Sequence, residues 1–338
     1  MTDKLKIAII GCGNMVYNFI YDCTKNLPVK LVAICDEQEE RLQRFKERYY
    51  VPNTYKHYQD LLSNDELDAV ICFPDNIQSH YEITKQCLLS GVNIFIERPQ
   101  CLTSVQAKEL IEIQNQTSTY AVARWNKRFT PGYMMAKEII QREEFGQITM
   151  YLAKYQAAEY ESDQSYIFKH IVHHLDLARY LMGEIILTHV DTIKLSDKKV
   201  GYNISFKADN GAIGVIQSGS LQSEGYPKET VEITGVEKNV IVENIRSVQY
   251  NRPAKKRNEA IVEPLQEGGD TLLWNLSHGN NSAYSFHGFE NQLHHFFHSL
   301  YTKNEPFPHL EDSIHTIELL EALVSIMGNL KKYDGGIK

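Results

Sequence analysis

A chain of 338 residues is longer than one ordinary hydrophobic core supports, and it predicts about two domains. Its 43% hydrophobic and 23% charged residues are those of a globular protein, and a net charge of −8 excludes the basic face that a nucleic acid or an anionic membrane requires. No apolar run approaches the roughly 18 residues of a bilayer span, and no apolar signal region follows Met-Thr-Asp-Lys, so a cytoplasmic protein is expected. The six cysteines, Cys12, Cys23, Cys35, Cys72, Cys87 and Cys101, include no C-x-x-C pair, so they read as reduced core thiols rather than a zinc or redox motif. The short basic run Lys255-Lys256-Arg257 reads as a solvated loop.

In chain order, Leu5 to Ile10 is a buried strand that ends in glycine, and a helix is expected from Asn14 to Lys25. A strand from Val29 to Cys35 ends at Asp36, and the charged stretch from Glu37 to Tyr49 is helical, as is Tyr58 to Asn64. Ala69 to Phe73 is a third strand closed by Pro74, followed by a helix from Gln78 to Ser90 that Gly91 stops. Val92 to Ile96 is a fourth strand, Thr103 caps a helix reaching about Gln114, and a fifth strand starts at Tyr120. Such β-α alternation predicts a doubly wound parallel sheet over residues 1–123.

Beyond that the rhythm changes, and residues 124–338 predict an α+β domain with an open, mainly antiparallel sheet. Helices are expected at Pro131 to Arg142 and His170 to Met182, the latter ended by Gly183. Strands follow at Asn203 to Ala208 and Ala212 to Ser220, joined by the hairpin signal Asp209-Asn210-Gly211, then at Thr230 to Thr234 and Asn239 to Glu243. Arg252 to Tyr284 reads as a long loop, and Phe289 to Leu300 and Glu311 to Leu330 as helices.

The first chemical signal is Gly11-Cys12-Gly13 between a strand and a helix. Glycine there lets the backbone approach a diphosphate, which the helix N-terminus then receives. An acid about 20 residues on, Asp36 at the end of the next strand, is placed to accept hydrogen bonds from ribose hydroxyls. Glu37 stands where an arginine would favour a 2′-phosphate, so NAD is expected over NADP. Val16 replaces the third glycine of the pattern, and Phe73-Pro74 ends a strand on the ligand-bearing edge of the sheet.

With Glu97-Arg98-Pro99 the pattern becomes recognisable: over nearly its whole length the chain resembles the Gfo/Idh/MocA oxidoreductases, the family of glucose–fructose oxidoreductase and inositol dehydrogenase. The likeness rests on Gly11-Cys12-Gly13-Asn14-Met15, Asp36, Asp68-Ala69-Val70-Ile71, His80-Tyr81-Glu82-Ile83, Trp125 to Pro131, Phe145-Gly146-Gln147-Ile148 and His173 to Gly183. It implies an N-terminal Rossmann domain, a second domain with an open sheet through which subunits pair as homodimers or homotetramers, and a sugar, inositol or polyol substrate. It also implies a cofactor role for Glu97, Arg98 and Trp125, and a substrate role for Asn126, Arg128, Tyr155, Tyr166, His170 and His174. Two positions depart from the family. Arg98 stands for the usual lysine, and Lys169, four residues before the catalytic histidine position His173, stands for the usual aspartate.

Histidine suits proton transfer near neutral pH, so His173 is expected as the acid and base. Lys169 assists it, its pKa lowered by partial burial and by Arg98 if the family geometry holds. Arg98, a poor base, would orient an anionic or strongly polar group or stabilise an alkoxide. Asp176 could orient a histidine or pair with Arg179. His170 and His174 share a helix face, but no carboxylate or cysteine completes a set, so no metal is expected. His294, His295 and His298 read as surface or packing residues. With both usual catalytic partners replaced, the alternative is a dinucleotide-binding sensor or regulator without turnover.

Overall fold

The computed structural model describes residues 4–64, 66–223, 228–253, 269–276 and 283–333; the basic run at 255–257 lies outside them. Six strands, β1 (Leu5–Ile10), β2 (Val29–Cys35), β3 (Asn53–Tyr55), β4 (Ala69–Cys72), β5 (Asn93–Ile96) and β6 (Ala121–Ala123), pair in the order β3-β2-β1-β4-β5-β6. Every pairing is parallel. Helices cover both faces of such a sheet, so strands like Ala69–Cys72, wholly buried, carry no polar alternation. The strand order reverses between β1 and β4, which opens a crevice at their carboxyl ends.

Gly11 closes β1 at that crevice. Its φ is +88°, and a Cβ there would lie 2.2 Å from the Phe73 carbonyl oxygen, so only glycine lets the two strand ends meet. Its N–H donates to Cys35 at 2.8 Å while the Phe73 N–H donates to Ile10 at 2.8 Å, lacing the ends of β1, β2 and β4 together. The expected single helix after Gly13 is instead broken: a π-helical turn over Val16–Ile20 is followed by a 3-10 turn over Asp22–Thr24. The π turn begins at Val16, the buried residue that replaces the close-packing glycine.

Contacts divide the chain into two units, residues 1–126 with 288–321, and 127–287 with 322–338. The expected boundary after residue 123 therefore falls slightly early, and Gly288–Glu321 joins the first unit rather than the second. The reason is side-chain chemistry. Gln292 donates to the Ala123 carbonyl at 2.9 Å, the Trp125 indole N–H donates to Ser313 Oγ at 2.9 Å, and the Phe296 ring lies 5.7 Å from that of Phe95.

The second unit carries eight strands: β7 (Ile148–Gln156), β8 (Ile185–Lys194), β9 (Val200–Ala208), β10 (Ile213–Gly219), β11 (Lys228–Gly235), β12 (Asn239–Glu243), β13 (Ser247–Pro253) and β14 (Gly269–Asn275). They pair as β14-β13-β12-β11-β7-β10-β9-β8, antiparallel except for β7 with β10. Four of these strands, β7, β8, β13 and β14, went unrecognised in the sequence, and β14 corrects the expected loop from 252 to 284. Strands β8 and β14 are edges, so their side chains are mostly exposed and carry little hydrophobic rhythm. Strand β7 hides for the opposite reason: Tyr151 and Ala153 are buried, yet Met150 and Leu152 on its other face are apolar too, which erases the alternation.

Candidate active site

A cleft of about 350 Å³ opens at the carboxyl ends of β1, β2 and β4, walled by Gly11, Asp36, Gln38, Arg41, Pro74 and Asp75 among others. Asp36 is 8% exposed. One oxygen accepts the Cys12 N–H at 2.7 Å and the other the Gln38 N–H at 2.9 Å, so the carboxylate is aimed by two backbone turns. Gly13 supplies the test of whether a dinucleotide fits. Its φ is not in the left-handed region and a Cβ would meet nothing closer than 3.8 Å, so the fold itself does not demand glycine there. A ligand backing onto the turn would, and the residues present fit a diphosphate. Asn14 is exposed, with its carbonyl oxygen accepting from Arg44 at 3.1 Å, and Met15 leads into the π turn.

Further along the same sheet edge, Glu97 accepts from Arg124 Nε and Nη2, both at 2.7 Å, and from Arg98 Nη1. Arg98 thus stands in a cluster of two guanidiniums around one carboxylate, its side chain 11% exposed. Asn126 Oδ1 accepts from Arg124 Nη1. Trp125 is a correction: its ring is fully buried and its N–H is spent on Ser313, so it builds the core and offers no face to a cofactor.

In the second unit, His173 is 7% exposed on the first turn of the helix Val172–Met182. The expected helix start at His170 is corrected too, because Ile167–Ile171, holding Lys169 and His170, is a π-helical turn. Such turns recur at functional sites. Lys169 is partly buried, its side chain 44% exposed, and its ammonium lies 3.1 Å from Glu161. His170 is ringed by Tyr155, Tyr160 and Tyr166, with centroids at 5.4, 4.7 and 5.1 Å, and the Tyr155 hydroxyl lies 3.2 Å from its Nδ1.

Three expected substrate contacts are inward-facing instead. Tyr166 is fully buried with its hydroxyl on Ser218 Oγ at 2.9 Å. Arg128 is buried and bidentate on Asp176, at 2.9 and 2.6 Å. Asp176 thus accepts from Arg128, while Arg179 binds Glu184. His174 is fully buried, its two ring nitrogens meet no hydrogen-bond partner among the described residues, and its ring lies 5.0 Å from that of Tyr155.

Sequence reasoning missed Arg41, Asp75 and the Lys127–Glu229 pair. Asp75 follows the strand-closing Pro74, and Arg41 lies near the start of the helix after Asp36, so both had a positional signal. Lys127 and Glu229 did not, being 102 residues apart. Lys127 Nζ lies 2.6 and 2.5 Å from the two Glu229 oxygens, and the Tyr133 hydroxyl also donates to Glu229. Burial pushes Glu229 up, but Lys127, His174 and these hydrogen bonds outweigh it and hold the carboxyl at about 2.

Burial, with the nearby Lys127 and His170 outweighing Glu229, pulls His174 down to about 3. Burial likewise pulls His80 down to about 4, against its hydrogen bond with the Pro99 carbonyl at 2.8 Å. Both are neutral in the fold, whereas an unfolded histidine titrates near 6.5. Between pH 7 and 5 the unfolded chain therefore binds more protons, and stability falls on acidification by about 2 kcal/mol per histidine. In urea unfolding at the two pH values, His174→Gln is expected to remove about 2 kcal/mol of that dependence; an identical pH dependence in wild type and variant would contradict it.

Comparison with known proteins accords with this geometry. Residues 5–123 match the model of the Gfo/Idh/MocA oxidoreductase family, NAD-binding Rossmann fold. The myo-inositol 2-dehydrogenase of Thermotoga maritima is 25% identical over 257 residues, 72% of this chain and 76% of that protein. In fold, a dehydrogenase from Chromobacterium violaceum superposes with a TM-score of 0.84 at 19% identity, over 99% of this chain and all of the other. An oxidoreductase from Agrobacterium radiobacter, solved with NAD+, L-tartaric acid and magnesium, gives 0.77 at 17% identity over 94% of this chain and 95% of that one. With the six-stranded parallel sheet and its glycine turn on the same residues, residues 5–123 are the NAD-binding Rossmann domain of the Gfo/Idh/MocA oxidoreductase family.

Proposed function

We propose that the protein moves a hydride between NAD and the hydroxyl-bearing carbon of a sugar, inositol or related polyol, with His173 taking or returning the hydroxyl proton. The observation that carries this reading is the Asp36 carboxylate, held by two backbone N–H groups on the wall of the cleft. Asp36 would hold the adenosine ribose, and Gly11, Gly13, Asn14 and Met15 the diphosphate, with Phe73, Pro74 and Glu97 completing the sheet edge beside it. NAD supplies the hydride acceptor or donor when bound. Every other step belongs to the chain.

His173 is 7% exposed on the first turn of its helix, and an imidazole is the side chain best suited to exchange a proton near neutral pH. Arg98 cannot exchange its proton at working pH, so in place of a lysine it binds and polarises. We assign it to an alkoxide or a carboxylate of the substrate, with Asn126, Tyr155 and His170 as further polar contacts. Lys169, tied to Glu161, contributes charge rather than a proton. The T. maritima relative acts on myo-inositol by name, and the A. radiobacter structure holds L-tartaric acid, so neutral polyols and hydroxy acids both belong in the substrate panel.

The open face of the second sheet supports a homo-oligomer, a dimer or tetramer. In register there, Ile213 sits beside Met150 and Val215 beside Leu152, and Ile213, Met150 and Leu152 are about half exposed. An apolar row across a sheet face calls for a partner; a monomeric mass in solution at micromolar concentration would remove this reading. A cytoplasmic location accords with six unpaired, buried thiols, and cell fractionation checks it.

The enzymatic reading is tested by following NADH absorbance with a panel of inositols, aldoses and sugar acids. Turnover is expected on at least one, and His173→Ala is expected to lower kcat by about 10²–10⁴. Saturable NAD binding with no turnover across the panel would favour the regulator, and wild-type turnover by His173→Ala would remove the acid–base assignment.

A further inference from the structure

The adenosine end of the cleft holds more charge than a ribose needs. Arg41, from the helix Glu39–Tyr49, reaches across to Asp75, from the turn after β4, at 2.7 Å, and stands 3.5 Å from Asp36. Its side chain is 26% exposed, so it is part of the wall rather than a surface charge. The other lysine or arginine of this wall, Lys56, is itself paired, 3.2 Å from Glu39. The acids Asp36, Glu37 and Asp75 face the same space.

A 2′-phosphate adds about two negative charges to the ribose. It needs a cation that is not already neutralised, and it is repelled by any carboxylate in reach. Asp75 does both things wrong for that ligand: it adds a negative charge and occupies the guanidinium of Arg41. An adenosine ribose with a free 2′-hydroxyl meets no such penalty. We infer that Asp75 is a specificity-determining residue, selecting NAD over NADP by engaging Arg41 across the mouth of the adenosine pocket. Asp36 and Glu37 would set the preference at the ribose, and Asp75 would reinforce it from the opposite wall. This rests on the adenosine half lying at Asp36.

The inference is read from binding alone. The full chain, as wild type, Asp75→Asn and Asp75→Asn/Arg41→Gln, is titrated with NAD and with NADP by calorimetry. The ratio Kd(NAD)/Kd(NADP) is expected to rise about tenfold in Asp75→Asn and to fall back when Arg41→Gln is added. Asp75 is 67% exposed at its side chain, so the fold tolerates the change, and Asp75→Ser repeats the test with a different replacement. An unchanged ratio in both single variants, or a gain that survives Arg41→Gln, overturns it. Wild type that binds neither coenzyme overturns the site itself, which is a distinguishable failure.

Discussion

The first unit depends on one carboxylate. Asp36 accepts the Cys12 N–H with one oxygen and the Gln38 N–H with the other, so the turn after β1 and the turn after β2 share a single anchor. Hydrogen bonds to a charged acceptor are about twice as strong as neutral ones, and at 8% exposure they face little competition from water. The glycine turn beside it is equally constrained: Gly11 cannot carry a side chain because Phe73 is already there. Anchor and turn together give a rigid lip at the strand-order reversal, where a doubly wound sheet receives its ligand.

The second unit solves a different problem, the burial of charge. Arg128 with Asp176 and Lys127 with Glu229 are enclosed pairs, each with matched hydrogen bonds. A buried charge without its partner is costly by several kcal/mol, so these pairs fix which side chains turn inward around the helix that bears His173. His174 sits among them as a neutral ring. Its neighbour in sequence, His173, is 7% exposed.

The parallel sheet was legible because its strands are buried on both faces and punctuated by Gly11, Asp36, Pro74 and Gly91. Edge strands such as β3, β8 and β14 were not, since a half-solvated strand lacks the rhythm that marks it. Helix lengths were read well, but neither π turn was, because periodicity is blind to one extra residue in a turn. Of the residues that the sequence singles out, Gly11, Asp36 and Pro74 line the cleft. Trp125, Arg128, Tyr166 and His174 were assigned to ligands and instead serve the core; residue type alone does not say which way a side chain faces. The ion pairs could not be read at all, because their partners are 48 and 102 residues apart.

In the proposed site the Asp36 carboxylate both braces the glycine turn and receives the adenosine ribose. The most direct measurement of this double role is the calorimetric Kd for NAD of Asp36→Asn against wild type. A loss of affinity of about 10- to 100-fold is predicted, the value of one charged hydrogen-bonding acceptor. An affinity equal to wild type would contradict it.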